Sequence, residues 1–303
     1  MKRLFDLTAQ EIRKLSKEEL LDSIRLSEGR VMMSEMMAHM PAILHDVSNA
    51  EVAAAFGADI IMINTYDTMQ PFIAGIDHEE PLKEVARLTG RVIAATLEPV
   101  DEGIESNHYR EDLSKGRYAT VENVAHLIEQ GVQIVLLTGN PSTFVSNEAI
   151  LEAIRRIKEA LGDKIVIASG KMHSSGMVNE SSSEMVQISD VDGFIDAGVD
   201  IVLVPAPGTV PGFTTAKVEA LVAHIQRRGK IALTSIGTSQ EGADTDTIRS
   251  IALQAKMAGA DVHHIGDCGM GPGMAIPENI LAYSTVIRGR RHTYRQMARS
   301  IVR

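Results

Sequence analysis

Short runs of apolar residues recur along the chain, and each is entered through a glycine. In four of them Gly is followed by Ala or Val, a polar residue and then the apolar run: residues 57–63, 131–137, 198–204 and 259–265. In three others Gly leads through a basic residue into the run: residues 90–95, 162–168 and 229–233. The runs do not alternate with polar residues, which is typical of buried parallel strands. A glycine that ends the preceding helix favours the left-handed conformation there.

The segments between these runs predict amphipathic helices. Apolar residues recur at helical spacing in residues 150–161 and 218–225. Residues suited to a helix start precede or open several of the segments: Asn49, Thr120, Thr214 or Thr215, and Pro277. With residues 42–45 as the first strand, eight β-then-α units follow one another without a break. This pattern predicts an α/β fold, a closed parallel (β/α)8 barrel (TIM barrel) over residues 41–303.

Residues 1–40 stand outside the repeated pattern. Residues 16–19 match a capping box and predict a helix through Leu26, while residues 31–37 fit an extra strand or a short helix. We expect this N-terminal extension to cover the N-terminal end of the barrel.

Composition excludes several classes of protein. A net charge of -10 argues against a general nucleic-acid binder, because that function needs clustered Lys and Arg. No apolar run approaches the roughly 20 residues that span a bilayer, and the single Cys268 allows no internal disulfide. We therefore expect a cytoplasmic protein that binds neither nucleic acid nor membranes. The basic C-terminal helix fits a solvated helix or a subunit contact in a homo-oligomer better than a polyanion site: Arg288, Arg290, Arg291, His292, Arg295, Arg299 and Arg303.

In (β/α)8 barrels the catalytic residues lie at the C-terminal ends of the strands. That rule selects these polar residues: His45, Asp46, Asn64, Asp67, Glu98, Asp101, Asn140, Lys171, His173, Ser235, Thr238, Glu241, His264 and Asp267. Polar groups there are costly to bury unless they are paired or solvated in a pocket, so their crowding predicts a site. The Pro- and Gly-rich residues 205–212 fit either a mobile lid or a rigid turn.

Lys171 and His173 are the best candidates for catalysis by proton transfer. A lysine at a strand end either forms a Schiff base or stays charged and holds an anionic substrate group. His173 suits a general acid or base because the ordinary pKa of histidine lies near neutral pH. Glu98 and Asp267 complete the predicted catalytic set.

A divalent metal ion (Mg, Mn or Zn) is an open alternative, with Glu98, Asp267 and His264 as its first candidate ligands. Their spacing matches no strong metal-binding signature. His263 and His264 are adjacent, so at most one of them enters the site. No nucleotide cofactor is predicted.

Phosphate is the ligand that the glycine pattern supports best. Gly237 and Thr238 follow the seventh strand, and Gly266 and Gly269 follow the eighth, where barrel enzymes commonly bind phosphate through backbone N–H groups. The strands and these two loops resemble the phosphate-binding (β/α)8 superfamily, which includes isomerases, epimerases, synthases and aldolases. Further substrate contacts are expected from polar residues at strand ends: Asn64, Asn140 and Ser235.

Residues 257–269 are also similar to a group of bacterial barrel proteins that carry a haloacid-dehalogenase-like label. A phosphatase of that type needs a nucleophilic aspartate and a second aspartate two residues on. Asp46 is instead followed by Val47 and Ser48, so this activity is not expected.

These patterns predict a lyase or isomerase that acts on a small phosphorylated metabolite, a sugar or oxo-acid phosphate, by proton transfer or carbon–carbon cleavage. Two alternatives are open. One is a metal-dependent hydrolase that uses His45, His173 and His264 with carboxylates. The other is a non-catalytic barrel that binds a metabolite.

Overall fold

Eight parallel strands form a closed barrel in chain order, with β8 paired to β1. The computed structural model describes residues 1–104, 112–173, 184–267 and 273–303. The strands are β1 (Val31–Met37), β2 (Ile60–Asn64), β3 (Val92–Leu97), β4 (Ile134–Leu137), β5 (Val166–Gly170), β6 (Ile201–Pro205), β7 (Ile231–Ile236) and β8 (Val262–Ile265). The predicted (β/α)8 fold is confirmed.

Helices cover the outside of the barrel and precede it. They are α1 (Ala9–Ile12), α2 (Lys17–Leu26), α3 (Asn49–Ala55), α4 (Pro81–Thr89), α5 (Val121–Glu129), α6 (Asn147–Leu161), α7 (Ile188–Ala197), α8 (Thr215–Arg227), α9 (Thr245–Met257) and α10 (Pro277–Ala298). Thr120 and Thr214 cap α5 and α8 as predicted, whereas Ser48 rather than Asn49 caps α3. No helix in the described ranges is long and apolar enough to cross a bilayer.

The first strand was assigned wrongly from the sequence. β1 spans Val31–Met37, and residues 42–45 instead lie in the loop before α3. The barrel therefore begins ten residues before the predicted boundary at residue 41. The polar pair Ser34 and Glu35 interrupts the apolar run of β1, which hides it from a search for continuous apolar strands. His45 and Asp46, predicted to follow the first strand, are exposed in that loop.

The N-terminal extension closes one end of the barrel. Leu20 and Ile24 of α2 share an apolar cluster with inward-facing strand residues such as Met33 and Met62. A second, larger apolar cluster fills the space between the strands and the outer helices. Because α2 covers the N-terminal end of the strands, the open end is the one that carries their C-termini.

The basic C-terminal helix binds the rest of the same chain. The Arg288 Nη1 atom lies 2.5 Å from Asp59 Oδ2, and both side chains are fully buried. Arg295 pairs with Asp6, and Arg299 donates to the Leu7 carbonyl oxygen. α10 thus anchors the N-terminal segment. Its predicted role in a homo-oligomer stays a prediction.

Candidate active site

A layer of polar side chains lies inside the barrel at the C-terminal ends of the strands. Side chains of a strand alternate between its two faces, so the residue two places after each inward apolar residue also points inward. In five strands that residue is polar and buried: Glu35 in β1, Asn64 in β2, Thr96 in β3, Ser235 in β7 and His264 in β8. The barrel interior is therefore apolar at one end and polar at the other.

Two of these side chains, Glu35 and Asn64, border a cavity of about 180 Å³. Its lining combines strand residues with the loops after β4, β5, β7 and β8: Glu35, Asn64, Thr138, Gly139, Asn140, Pro141, Met172, His173, Gly237, Thr238, Ser239, Glu241, Gly266 and Asp267. The cavity lies at the end of the barrel where active sites of this fold occur.

Asn64 is the centre of a hydrogen-bond network in the wall of the cavity. Its Nδ2 atom donates to Asp267 Oδ2 at 2.9 Å and to Asn140 Oδ1 at 2.9 Å. Its Oδ1 atom accepts from Thr96 Oγ1 at 2.6 Å and from Asn140 Nδ2 at 3.1 Å. The network fixes the Asp267 carboxylate against the two amides, so three of the predicted site residues lie together.

Glu98 lies at the edge of this network and outside the cavity lining. Its Oε1 atom lies 2.6 Å from Arg117 Nη2 and also accepts from Asn140 Nδ2. Arg117 therefore neutralises the carboxylate, and Asn140 separates it from Asp267. The predicted catalytic role of Glu98 finds no support in this position, which fits a residue that orients Asn140.

His264 contacts a polar partner with each ring nitrogen. Its Nδ1 atom lies 2.6 Å from Ser235 Oγ, and its Nε2 atom lies 3.1 Å from Glu35 Oε2, although this second contact is not aligned for a hydrogen bond. Burial lowers the pKa of His264 to about 4 against the opposing effect of Asp267 and Glu241. Burial, and then the charges of Asp267 and Glu241, raise the pKa of Glu35. Burial therefore favours the uncharged form of each member of the pair.

Lys171 and His173 lie directly after β5. Lys171 is buried, and His173 is part of the cavity lining. Burial, and then the charge of Lys171, lower the pKa of His173 to about 4. An imidazole with this pKa is neutral at pH 7, and a neutral imidazole has one ring nitrogen that can accept a proton. Gly170 allows β5 to approach β6, because a Cβ there would lie 2.0 Å from the Leu203 carbonyl oxygen.

The loop after β7 has an unusual backbone. Thr238 and Ser239 adopt positive φ angles of 65° and 77°. Such conformations in residues other than glycine are strained and concentrate at functional sites. Within the described part of the chain, the backbone N–H groups of Gly237, Thr238 and Ser239 donate to no protein acceptor.

Of the two glycines predicted after β8, Gly266 does not add to that donor set. The Gly266 N–H donates to the Ile236 carbonyl oxygen at 2.8 Å, so it is not available to phosphate as predicted. Gly269 lies outside the described residues. The predicted phosphate site therefore depends on the loop after β7.

The segment 205–212 forms a turn that is closed by its own hydrogen bonds. The Gly208 N–H donates to the Phe213 carbonyl oxygen at 2.9 Å, and the Phe213 N–H donates to the Val210 carbonyl oxygen at 3.0 Å. Thr238 Oγ1 also donates to the Thr209 carbonyl oxygen at 3.0 Å, which ties this turn to the loop after β7.

The predicted metal ligands do not converge. Among the described residues no group of three or more His, Cys, Asp or Glu side chains is placed to hold a metal ion. His264 Nδ1 lies against Ser235, and Glu98 is paired with Arg117. His45, proposed for the hydrolase alternative, is exposed in the loop before α3. The structure therefore does not bring Glu98, Asp267 and His264 together as one group of ligands.

Glu35 is the one cavity residue of this polar layer that sequence reasoning missed. It was overlooked because the first strand was placed at residues 42–45 instead of Val31–Met37. The signal was present: a single carboxylate stands in a methionine-rich run, between Met33 and Met36. A charge inside a buried strand marks a site more strongly than a charge in a loop.

Fold and cavity define a (β/α)8 barrel with a cluster of buried ionisable groups at the C-terminal ends of its strands. The chain belongs to the family described as Domain of unknown function (DUF7916), whose model matches residues 5–303. No protein with curated annotation matches the sequence.

Solved structures of similar fold include two aldolases and a lyase. An archaeal fructose 1,6-bisphosphate aldolase has 14% identity, with 89% of this chain and 98% of that chain covered and a TM-score of 0.57. A Schiff-base-forming fructose-1,6-bisphosphate aldolase has 14% identity, 88% and 99% coverage and a TM-score of 0.55. A 2,3-dimethylmalate lyase of the PEP mutase/isocitrate lyase superfamily has 13% identity, 88% and 82% coverage and a TM-score of 0.51. At these identities the likeness shows the fold alone.

Proposed function

We propose that the protein is a lyase-type enzyme that acts on a small phosphorylated metabolite by proton transfer or carbon–carbon cleavage. The observation that carries the proposal is that one cavity combines two kinds of group. The loop at Gly237, Thr238 and Ser239 offers backbone N–H donors, and His173 and Asp267 offer proton-transfer groups. The similar barrels named as aldolases and a lyase agree with this class of reaction.

The loop after β7 is the proposed phosphate site. Consecutive N–H groups without protein acceptors attract an anion without adding a side-chain charge. A Cβ on Gly237 would lie 2.4 Å from Met172 Sδ, so glycine keeps this part of the wall free of a side chain. Lys171, buried at the end of β5, would add a positive charge for an anionic substrate or form a Schiff base, as one similar aldolase is named for.

The proton-transfer step would use His173 or Asp267. The imidazole of His173 is unprotonated at pH 7 and so can act as a base, and the Asp267 carboxylate is held in place by Asn64. Either group would remove a proton from a hydroxyl group or from a carbon next to a carbonyl group. The choice between isomerisation and cleavage then depends on the substrate.

The proposed phosphate binding is tested by thermal unfolding in inorganic phosphate, compared with chloride at equal ionic strength. A ligand at 100 times its Kd stabilises a protein by about 2.7 kcal/mol, so the midpoint should rise by several degrees. Lys171→Met should reduce the rise, whereas Lys158→Met on α6, whose ammonium lies 3.8 Å from Asp163, should keep it. A rise equal to that in chloride would contradict the phosphate site.

The proposed catalytic activity is tested by NMR, which follows deuterium incorporation from D2O into phosphorylated hydroxyketones and oxo acids. We expect exchange or cleavage in at least one compound that binds, and its loss in Asp267→Asn or His173→Gln. Binding without exchange or cleavage in any of these compounds would instead support the non-catalytic barrel.

A further inference from the structure

We propose that Glu35 is the proton donor of the cavity and that His264, held by Ser235, is the positioning residue that orients it. This inference rests on the proposed function and names the acid that complements His173 and Asp267. Neither the resemblance nor the similar structures assign a role to Glu35.

Glu35 is built into the barrel wall rather than into a loop. Its strand pairs with β2 on one side and β8 on the other, and its side chain points inward at 4% exposure. It lines the cavity together with Asn64 and Asp267. A carboxyl group on a rigid strand keeps a fixed direction, which proton transfer requires.

The groups that face Glu35 favour its protonated form. Asp267 follows β8 and Glu241 follows β7, and both act on Glu35 as negative charges. His173, after β5, lines the same cavity and is uncharged at neutral pH; Lys171 stands two residues before it. Burial acts in the same direction as the two carboxylates, so burial and its nearest charged neighbours raise the pKa of Glu35.

The contacts of His264 define which of its nitrogens can face the Glu35 proton. Ser235 Oγ donates to Met172 Sδ at 3.6 Å and lies 2.6 Å from His264 Nδ1. If Ser235 donates to the sulfur, it accepts from Nδ1–H, and Nε2 carries the lone pair. Nε2 is the atom that lies 3.1 Å from Glu35 Oε2. A proton on Oε2 would therefore lie within hydrogen-bond distance of this lone pair.

Every proton is accounted for when the reaction is carbon–carbon cleavage. His173 or Asp267 takes the proton of a substrate hydroxyl group, and the carbon–carbon bond breaks with its electron pair moving to the departing carbon. Glu35 gives its proton to that carbon and becomes a carboxylate. The proton held by the base then returns to Glu35 through water, so no other reactant is consumed.

Infrared spectroscopy of the whole protein at pH 7 tests the protonation state. The wild type minus Glu35→Gln difference should contain the carbonyl stretch of a protonated carboxyl group. His264→Leu should shift this band to higher frequency because a hydrogen-bond acceptor is lost, a change that a merely structural histidine would not produce. A difference spectrum with carboxylate bands alone would overturn the proposal.

Labelling with 2-diazoacetamide tests whether the acid reaches the cavity. A protonated carboxyl group gives its proton to the diazo carbon, nitrogen gas leaves, and the carboxylate oxygen bonds to that carbon as an ester. Peptide mapping at pH 7 should place the label on Glu35 and find none at that position in Glu35→Gln. The exposed Glu148 of α6 should stay unlabelled. A protonated Glu35 that takes no label would show that it does not serve the cavity.

The two experiments fail separately from the proposed function. Phosphate-dependent stabilisation and deuterium exchange with an ionised Glu35 would refute the donor and leave the enzyme proposal standing. A protonated, labelled Glu35 in a protein that does not bind phosphate would support the proton donor and refute the proposed phosphate-binding enzyme.

Discussion

The two ends of the barrel interior differ although the same strands build them. Toward the N-terminal end, β1 and β2 point Met33 and Met62 inward, and α2 closes the space with Leu20 and Ile24. Two residues later the same strands point Glu35 and Asn64 inward, where both line the cavity. Burial of the apolar end stabilises the fold, whereas burial of the polar side chains at the other end has an unfavourable desolvation energy. The polar end is the one that contains the cavity.

The largest effect should come from the apolar end. Ile24→Ala removes a fully buried side chain from the helix that closes the barrel, and should lower the free energy of unfolding by about 2–5 kcal/mol. Chemical denaturation measures this. The exposed Asp22→Ala on the same helix should change it by less than about 0.5 kcal/mol. Equal effects of the two substitutions would mean that α2 does not close the core.

At the polar end, removal of one network member should cost less. Asn64→Leu removes the hydrogen bonds from Asn64 to Asp267 and Asn140, and should destabilise the protein by about 1–3 kcal/mol. Thr96→Val is the control: it removes only one bond of the network and should cost less than Asn64→Leu. The reverse order would place the centre of the network elsewhere.

The two buried histidines of β8, one on each face of the strand, make the fold sensitive to acid. Burial lowers the pKa of His263, which packs edge-on against Tyr283, to about 4, and that of His264 equally. A histidine with a lowered pKa stabilises the fold above its unfolded pKa near 6.5, and this contribution is lost as the pH falls toward 4. Each should add a slope of up to about 1.4 kcal/mol per pH unit. Glu35, with its raised pKa, acts oppositely, since its contribution is lost as the pH rises.

His263→Gln should therefore flatten the loss of stability between pH 6.5 and 4 without a change in ligand binding. Denaturation at several pH values measures the slope, and the exposed His126→Gln on α5 should leave it unchanged. An unaltered slope in His263→Gln would show that this residue is protonated in the folded state.

The smallest effect should be a gain at the strained loop. Ser239→Gly relieves a positive φ and should raise the free energy of unfolding by about 0.5–1 kcal/mol. The same substitution at Ser114, whose φ is -56°, should not stabilise. A loss of stability in Ser239→Gly would mean that the backbone there is not strained.

Seven strands could be predicted because a glycine ends the preceding helix and an unbroken apolar run follows. Six of those seven glycines have positive φ, and Gly162 alone keeps a right-handed helical conformation. β1 could not be predicted in this way because Glu35 interrupts its run. Local rules fail where a functional residue overrides them, and the same carboxylate that hid the strand marks the cavity.

The sequence predicted the position of the site residues in the fold better than it predicted their contacts. Asn64, Asn140, His173 and Asp267 were chosen because they follow strands, and they meet at one end of the barrel. The pairing of Glu98 with Arg117 depends on a loop that returns to β3, which no pattern in the sequence indicates. Contacts between distant loops need the coordinates.

The central claim is that the polar side chains at the C-terminal end of the barrel serve function and do not increase the free energy of unfolding. The free energy of unfolding of the double variant Glu35→Met, His264→Leu at pH 7 tests it most directly, since both members of the buried pair are replaced by apolar groups of similar size. We predict a value equal to the wild type or higher by about 1–4 kcal/mol. A loss as large as that of Ile24→Ala would contradict the claim and make the pair a structural element of the barrel.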